Sequence, residues 1–199
     1  MALEVINITC PGCGAPIDTS AKNCKSCGRP VVITTFNSVY GMDMKELNQY
    51  KGTYQKTLEE HPDNPEINLS MGMCLLKLNA YDKAEEKFNK AIEESIDNPE
   101  AYFWDAVCLL KGKRPFVQTR QIVDQAIDLT NTARMLEDRG IFSYFIAYLK
   151  YDYYQLKRLK QDPSYIEELQ RASSSVTQED IRMLAEILKI DGFDPNLAI

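Results

Sequence analysis

A four-residue motif occurs twice in this chain, at a spacing that dictates its architecture. Asp63-Asn64-Pro65-Glu66 returns thirty-four residues later as Asp97-Asn98-Pro99-Glu100. Gly72 is matched by Ala106 and then by Gly140, and Cys74 by Cys108. A fixed period of this length marks stacked helical units, because one helix pair cannot bury its own apolar face and needs a neighbour. In the first copy Asn64 is placed to accept a hydrogen bond from a free amide of a first helical turn. Pro65 follows where its missing N–H costs nothing. Leu69, Gly72, Met73, Leu75, Leu76 and Leu78 then recur at helical spacing. Asn79-Ala80 makes a short turn, and a second helix carries Tyr81, Ala84, Phe88, Ala91 and Ile92 on its apolar side.

These residues resemble a tetratricopeptide repeat: the small residue at Gly72, the aromatic Tyr81, then Ala84, Phe88 and Ala91 match that family's pattern in order. In that pattern Gly72 faces Ala84, so that two helix backbones approach closely. The second copy agrees in Tyr102, Ala106 and Leu109 and then departs through the longer turn Lys111-Gly112-Lys113-Arg114-Pro115. Its second helix, near Gln118 to Leu129, keeps Val123, Ala126 and Ile127. Leu136 and Gly140 suggest a third first-helix, and Glu46 to Glu60 the second helix of a preceding half repeat, opened by Asp43 and Glu46. The resemblance covers roughly residues 44–148. It implies a mainly α fold, a short α-solenoid of antiparallel helix pairs with a concave face lined by the first helix of each pair. Leu69, Met73 and Leu76, with Phe103, Val107 and Leu110, are the partner-binding candidates on that face. The alternative is that they are core, covered by C-terminal helices that cap the array. Some family members grip a peptide's terminal carboxylates through Lys and Asn; Leu69 and Met73 stand on the inner face here, so that mode is not carried over.

The second strong signal is chemical. Cys10-Pro11-Gly12-Cys13-Gly14 is followed by Cys24-Lys25-Ser26-Cys27-Gly28. Each CxxC folds as a tight knuckle that presents two thiolates from one turn, and the glycine after it supplies a positive φ. Cys10, Cys13, Cys24 and Cys27 are four soft ligands, suited to one tetrahedral zinc, with iron as the alternative. No His or carboxylate is spaced to join them, so the site is closed and the metal structural. Disulfides need an oxidising compartment, and no secretion signal precedes these cysteines. The stretch resembles a short zinc ribbon over about Cys10 to Arg29. Ile6, Ile8, Ile17 and Val31 to Ile33 are expected as strands of a small sheet, which is too little apolar surface to fold without metal. Lys22, Lys25 and Arg29 are solvated surface or, alternatively, phosphate contacts.

The expected domains are a zinc ribbon over 1–35, a linker over 36–43 and a helical domain over 44–199. Hydrophobic residues make up 44% of the chain, ordinary for a globular protein. The net charge of −6, carried beyond residue 40, argues against broad nucleic-acid binding. No apolar run is long enough for a membrane span, and the chain reads as cytoplasmic. Cys74 and Cys108 read as buried packing residues. His61 is the only histidine and stands at a helix end with nothing to frame it for catalysis. Acidic pairs such as Glu85-Glu86 read as solvated helix faces, and Trp104 as a core anchor.

From Ala133 to Gln161 there is no proline and a single glycine, which predicts one long capping helix. Phe142, Phe145, Ile146, Leu149, Tyr153, Leu156 and Leu159 form its apolar stripe. Tyr144, Tyr148 and Tyr151 make a second strip, either a binding face or one half-buried against Tyr165 to Leu169. Ser164 to Ala172 is a short helix, Thr177 and Asp180 cap a last one, Gly192 and Pro195 stop it, and the tail is loose. No nucleophile, base and open metal site converge. The expected function is a non-enzymatic interaction scaffold or adaptor for another protein or peptide. The alternatives are a nucleic-acid- or polymerase-associated regulator that makes contact through the ribbon, and an accessory subunit of a larger machine.

Overall fold

The computed structural model describes residues 5–189, so Gly192, Pro195 and the tail lie outside it. The chain divides into two compact units, Met1–Ile96 and Asp97–Ile199.

In the first unit β1 (Asn7–Thr9) pairs antiparallel with β2 (Pro16–Asp18), Ile8 opposite Ile17. Val31–Ile33, expected as a strand, forms none; it follows an isolated bridge between Asn23 and Pro30 and stays irregular. The expected linker is also packed. It holds a short helix, α1 (Asn37–Tyr40), and buries Phe36 and Val39. Next come α2 (Met44–Glu60), α3 (Pro65–Lys77) and α4 (Tyr81–Glu94). Asp43 caps α2 by accepting from the Glu46 amide, and Asn64 caps α3 by accepting from the Ile67 amide at 3.0 Å. Leu47, Tyr50, Tyr54, Thr57 and Leu58 form the buried stripe of α2 at helical spacing. All ten residues from Ile67 to Leu76 on α3 are buried, as suits a helix that packs against α1, α2 and α4.

Gly72 does allow close packing, and the atoms nearest to it belong to Phe88. A side-chain carbon there would lie 2.6 Å from the Phe88 ring. The Gly72→Ala variant is therefore expected to lose about 1–3 kcal/mol to overpacking, less the roughly 1 kcal/mol alanine recovers in a helix. Urea unfolding checks this, and Phe88→Leu in the same chain should restore part of the loss.

The second unit contains α5 (Pro99–Leu109), a 3-10 turn at Pro115–Val117, α6 (Arg120–Leu136), α7 (Gly140–Leu149), α8 (Tyr165–Ala172) and α9 (Gln178–Leu188). Both α8 and α9 open with reciprocal capping boxes, Ser164 with Glu167 and Thr177 with Asp180. Trp104 is core; its indole N–H donates to Glu100 at 2.6 Å, and Arg139 pairs with the same carboxylate. The Phe103 ring lies 4.9 Å from Phe142 and 5.6 Å from Phe145.

The C-terminal helix starts at Gly140, not at Ala133: the chain breaks over residues 137–139, between α6 and α7. A side chain at Gly140 would strike the Val176 amide nitrogen, so α7 begins where the turn before α9 crosses it closely. Beyond α7 the helix continues as one π-helical stretch, Lys150–Gln155. It turns Lys150, Asp152, Tyr153 and Tyr154 all inward. Lys150 reaches Glu168 on α8 at 2.9 Å, Asp152 accepts from the Phe116 amide at 2.7 Å and pairs with Arg114, and Tyr154 bonds Asp124 on α6. The tyrosine strip is covered. Tyr144 and Tyr148 are buried, and Tyr151 meets Tyr165 edge-on at 5.2 Å.

Candidate metal centre

The two CxxC segments fold alike. The Gly14 amide donates to the Cys10 carbonyl at 2.8 Å and the Cys10 amide to Ala15 at 2.7 Å. In the second segment Gly28 donates to Cys24 at 2.7 Å and Cys24 to Arg29 at 2.8 Å. Each loop closes through a glycine at positive φ, 78° at Gly14 and 74° at Gly28, where a side chain would be strained. The paired knuckles bring Cys10 Sγ within 3.7 Å of Cys27 Sγ and Cys13 Sγ within 3.7 Å of Cys24 Sγ. All four sulfurs lie within 4.8 Å of one another.

That spacing tests the fit. Four sulfurs about 2.3 Å from a tetrahedral zinc stand roughly 3.8 Å apart, whereas a disulfide needs about 2.05 Å. The donor set therefore suits a thiophilic ion and excludes cross-links in this geometry. Among the described residues no other group of three or more His, Cys, Asp or Glu side chains converges in this way. The sulfurs differ in environment. The Cys27 and Ser26 amides donate to Cys24 and bring its thiol down to about 6, while burial pushes Cys10 up to about 12. A cation among the sulfurs favours the thiolate at every position.

Residues outside the cysteine motif hold the knuckles in place. Arg29 donates to the Gly12 carbonyl at 3.1 Å and pairs with Glu46 of α2 at 3.1 Å; Gln49 of α2 donates to the same carbonyl at 3.3 Å. Arg29 is thus an internal clamp. Tyr50 donates to the Pro30 carbonyl at 2.9 Å and Tyr54 to that of Val31 at 3.0 Å. Ser70 on α3 accepts from the Ile33 amide at 2.9 Å, and its own proton goes to the Glu66 carbonyl one turn back at 2.8 Å. The sequence marks Tyr50 and Tyr54 only as one face of a helix, and nothing marks Ser70.

Other sequence candidates fall as follows. Leu69, Met73 and Leu76 are buried, and so are Phe103, Val107 and Leu110; the most exposed of the six is at 3%. They form no open face here, because α3 and α5 are enclosed nearly all round. Cys74 and Cys108 are fully buried, and burial pushes the Cys74 thiol up to about 12. His61 caps the end of α2, its amide donating to the Thr57 carbonyl at 2.9 Å. Among the described residues no helix is long and apolar enough to cross a membrane.

The tetratricopeptide repeat family model matches residues 51–102. No curated protein matches the chain. Of solved structures, a thermophilic TPR protein of Thermus thermophilus is 16% identical over 76% of this chain and 77% of its own, with a TM-score of 0.55. MamA is 18% identical over 73% of this chain and 75% of its own, with a TM-score of 0.47. A MamA RS-1 double mutant is 13% identical, over 81% and 79%, at 0.46. The Thermus likeness speaks for the fold alone. Residues 51–102 therefore match the tetratricopeptide repeat model, in a chain whose fold is mainly α-helical and repeat-like and which carries a four-cysteine cluster near its N-terminus.

Proposed function

We propose that this chain is a non-enzymatic cytoplasmic adaptor, in which one structural zinc holds together an N-terminal module joined to a short helical-repeat body that docks another protein. The observation that carries this reading is the closed four-sulfur cluster clamped by Arg29 and Gln49 onto a tetratricopeptide-like fold. Four thiolates fill a tetrahedral zinc and leave no position for water or substrate. Repeat folds of this kind stack helix pairs into extended surfaces that suit protein partners. In domain terms the metal module is 1–35, the packed connection 36–43 and the helical body 44–199. Arg29, one of the three ribbon cations, is committed to Glu46 and Gly12, which weighs against phosphate recognition by the ribbon.

Affinity purification of the full chain from its native cell, with mass spectrometry, tests the adaptor role. Near-stoichiometric recovery of a defined protein supports it; a chain that always returns alone, or that turns over a substrate, removes it. Metal analysis should find one zinc per chain. Affinity should fall as pH falls, because protons compete with the metal for the thiolates. A metal-free chain with four freely titrating thiols in the native state would refute the zinc assignment.

A further inference from the structure

The segment that leaves the second knuckle is bound by the helices as a ligand is bound. From Val31 to Phe36 it forms no regular structure. Its backbone is held by side chains: the Tyr50 hydroxyl on the Pro30 carbonyl, the Tyr54 hydroxyl on the Val31 carbonyl, and the Ser70 hydroxyl on the amide of Ile33. Its apolar side chains Val31, Ile33 and Phe36 are at 0%, 0% and 1% exposure. Hydrogen bonds from helix side chains to a backbone do not depend on the sequence they hold. Three apolar plugs with such bonds amount to recognition of an apolar peptide by α2 and α3. The segment is also tethered to the cysteine cluster: the Arg29 carbonyl accepts from the Cys24 amide, and the Val31 amide donates to Lys22 within the same module.

We propose that residues 30–36 are a built-in occupant of a peptide groove formed by α2 and α3, kept there by the metal module, and that their departure opens the groove to an apolar peptide of the same chemistry. The coupling to the metal rests on the zinc reading above; the groove itself does not. The tether gives the internal segment a high effective concentration, so a free peptide competes poorly while the module is intact.

The test uses the full chain, reduced, with zinc content measured on every sample. The probe is a fluorescent peptide carrying residues 29–37. The Ile33→Asp variant places a carboxylate where no water reaches and so expels the segment, leaving all four cysteines in place. The probe should bind Ile33→Asp at least about tenfold more tightly than it binds the wild type, since apparent affinity scales with the open fraction. Removing the groove hydroxyls by Tyr54→Phe and Ser70→Ala in the Ile33→Asp chain should cancel the gain. Zinc-stripped wild-type protein is the second open form and should bind like Ile33→Asp while its α-helical circular dichroism persists. Equal binding by the wild type and Ile33→Asp overturns the proposal. So does loss of helical signal in both open forms, which makes the segment ordinary core. If the wild type as purified holds no zinc and Ile33→Asp still binds the probe more tightly than it does, the metal coupling is refuted and the groove stands.

Discussion

Replacing Cys10 by serine is expected to empty the proposed zinc site and unfold the chain around it. Cys10 is buried and shares its cluster with Cys13, Cys24 and Cys27. A hydroxyl is a poor ligand for zinc, and three remaining sulfurs leave an open corner at a site built as closed. Regular structure around the cluster is limited among the described residues to β1, β2 and an isolated bridge, and the contacts from α2 and α3 reach it mostly through single hydrogen bonds. Structural zinc supplies roughly 10–16 kcal/mol of binding free energy to small modules, and that energy is also folding energy. The variant should therefore lose about 5 kcal/mol or more, a large share of the ~5–15 kcal/mol that keeps a typical domain folded. Three measurements check this: zinc per chain falls from one to near zero, proteolysis opens sites in residues 5–36, and the unfolding midpoint drops. Cys74→Ser is the control. It lies in the packed interior of α3, so it should keep its zinc and lose only the roughly 1–3 kcal/mol of a buried, poorly paired hydroxyl. A Cys10→Ser chain that still holds one zinc would sink the four-sulfur site.

The second large effect belongs to Glu168. Its carboxylate is 1% exposed and meets Arg134 of α6 at 2.6 Å and Lys150 at 2.9 Å, with Arg171 at 3.8 Å. One carboxylate thus joins α6, the π-helical stretch and α8. Lys150 is itself buried and also donates to the Pro163 carbonyl at 2.9 Å. Glu168→Gln leaves a buried ammonium and a half-buried guanidinium without their counter-charge. Breaking a buried pair from one side costs about 3–5 kcal/mol, whereas a well-packed apolar replacement of both partners is often neutral. Glu168→Gln should therefore lose about 3–5 kcal/mol in denaturant titration, and the paired change Glu168→Leu with Lys150→Met should recover most of it. Arg171→Ala, whose side chain is 55% exposed, should cost under about 1 kcal/mol. A Glu168→Gln chain as stable as the wild type would show that this carboxylate does not tie the three elements together.

Glu168 also shows where reading the chain stops. Before folding it is one member of an acidic pair in a polar helical stretch, and a solvated face is the ordinary meaning of such a pair. Its value comes from Arg134 and Lys150, 34 and 18 residues away. The break over residues 137–139 was hidden for the same reason. The backbone at Ser175 and Val176 passes so close to Gly140 that only a residue without a side chain fits where α7 begins, and neither segment's local sequence announces that contact. The π-helical stretch likewise has no composition cue, and it forms where three partners draw Lys150, Asp152 and Tyr154 inward. The inner-face residues failed as an open surface because helical spacing shows that a face is apolar, not what covers it.

Reading the residues alone was enough for the helix pairs, the Asn64 and Thr177 caps, the knuckle glycines and the four clustered cysteines. Each of these is settled within a few residues, by periodicity, by a side chain reaching its own first turn, or by the φ a tight loop demands. Folding in three dimensions decided that Val31–Ile33 leaves the sheet for Tyr50, Tyr54 and Ser70, that Phe88 fills the space beside Gly72, and that Glu168 lies beneath three cations. Those outcomes depend on burial and on charges brought together from distant parts of the chain, and their free energies exist only once the helices have packed.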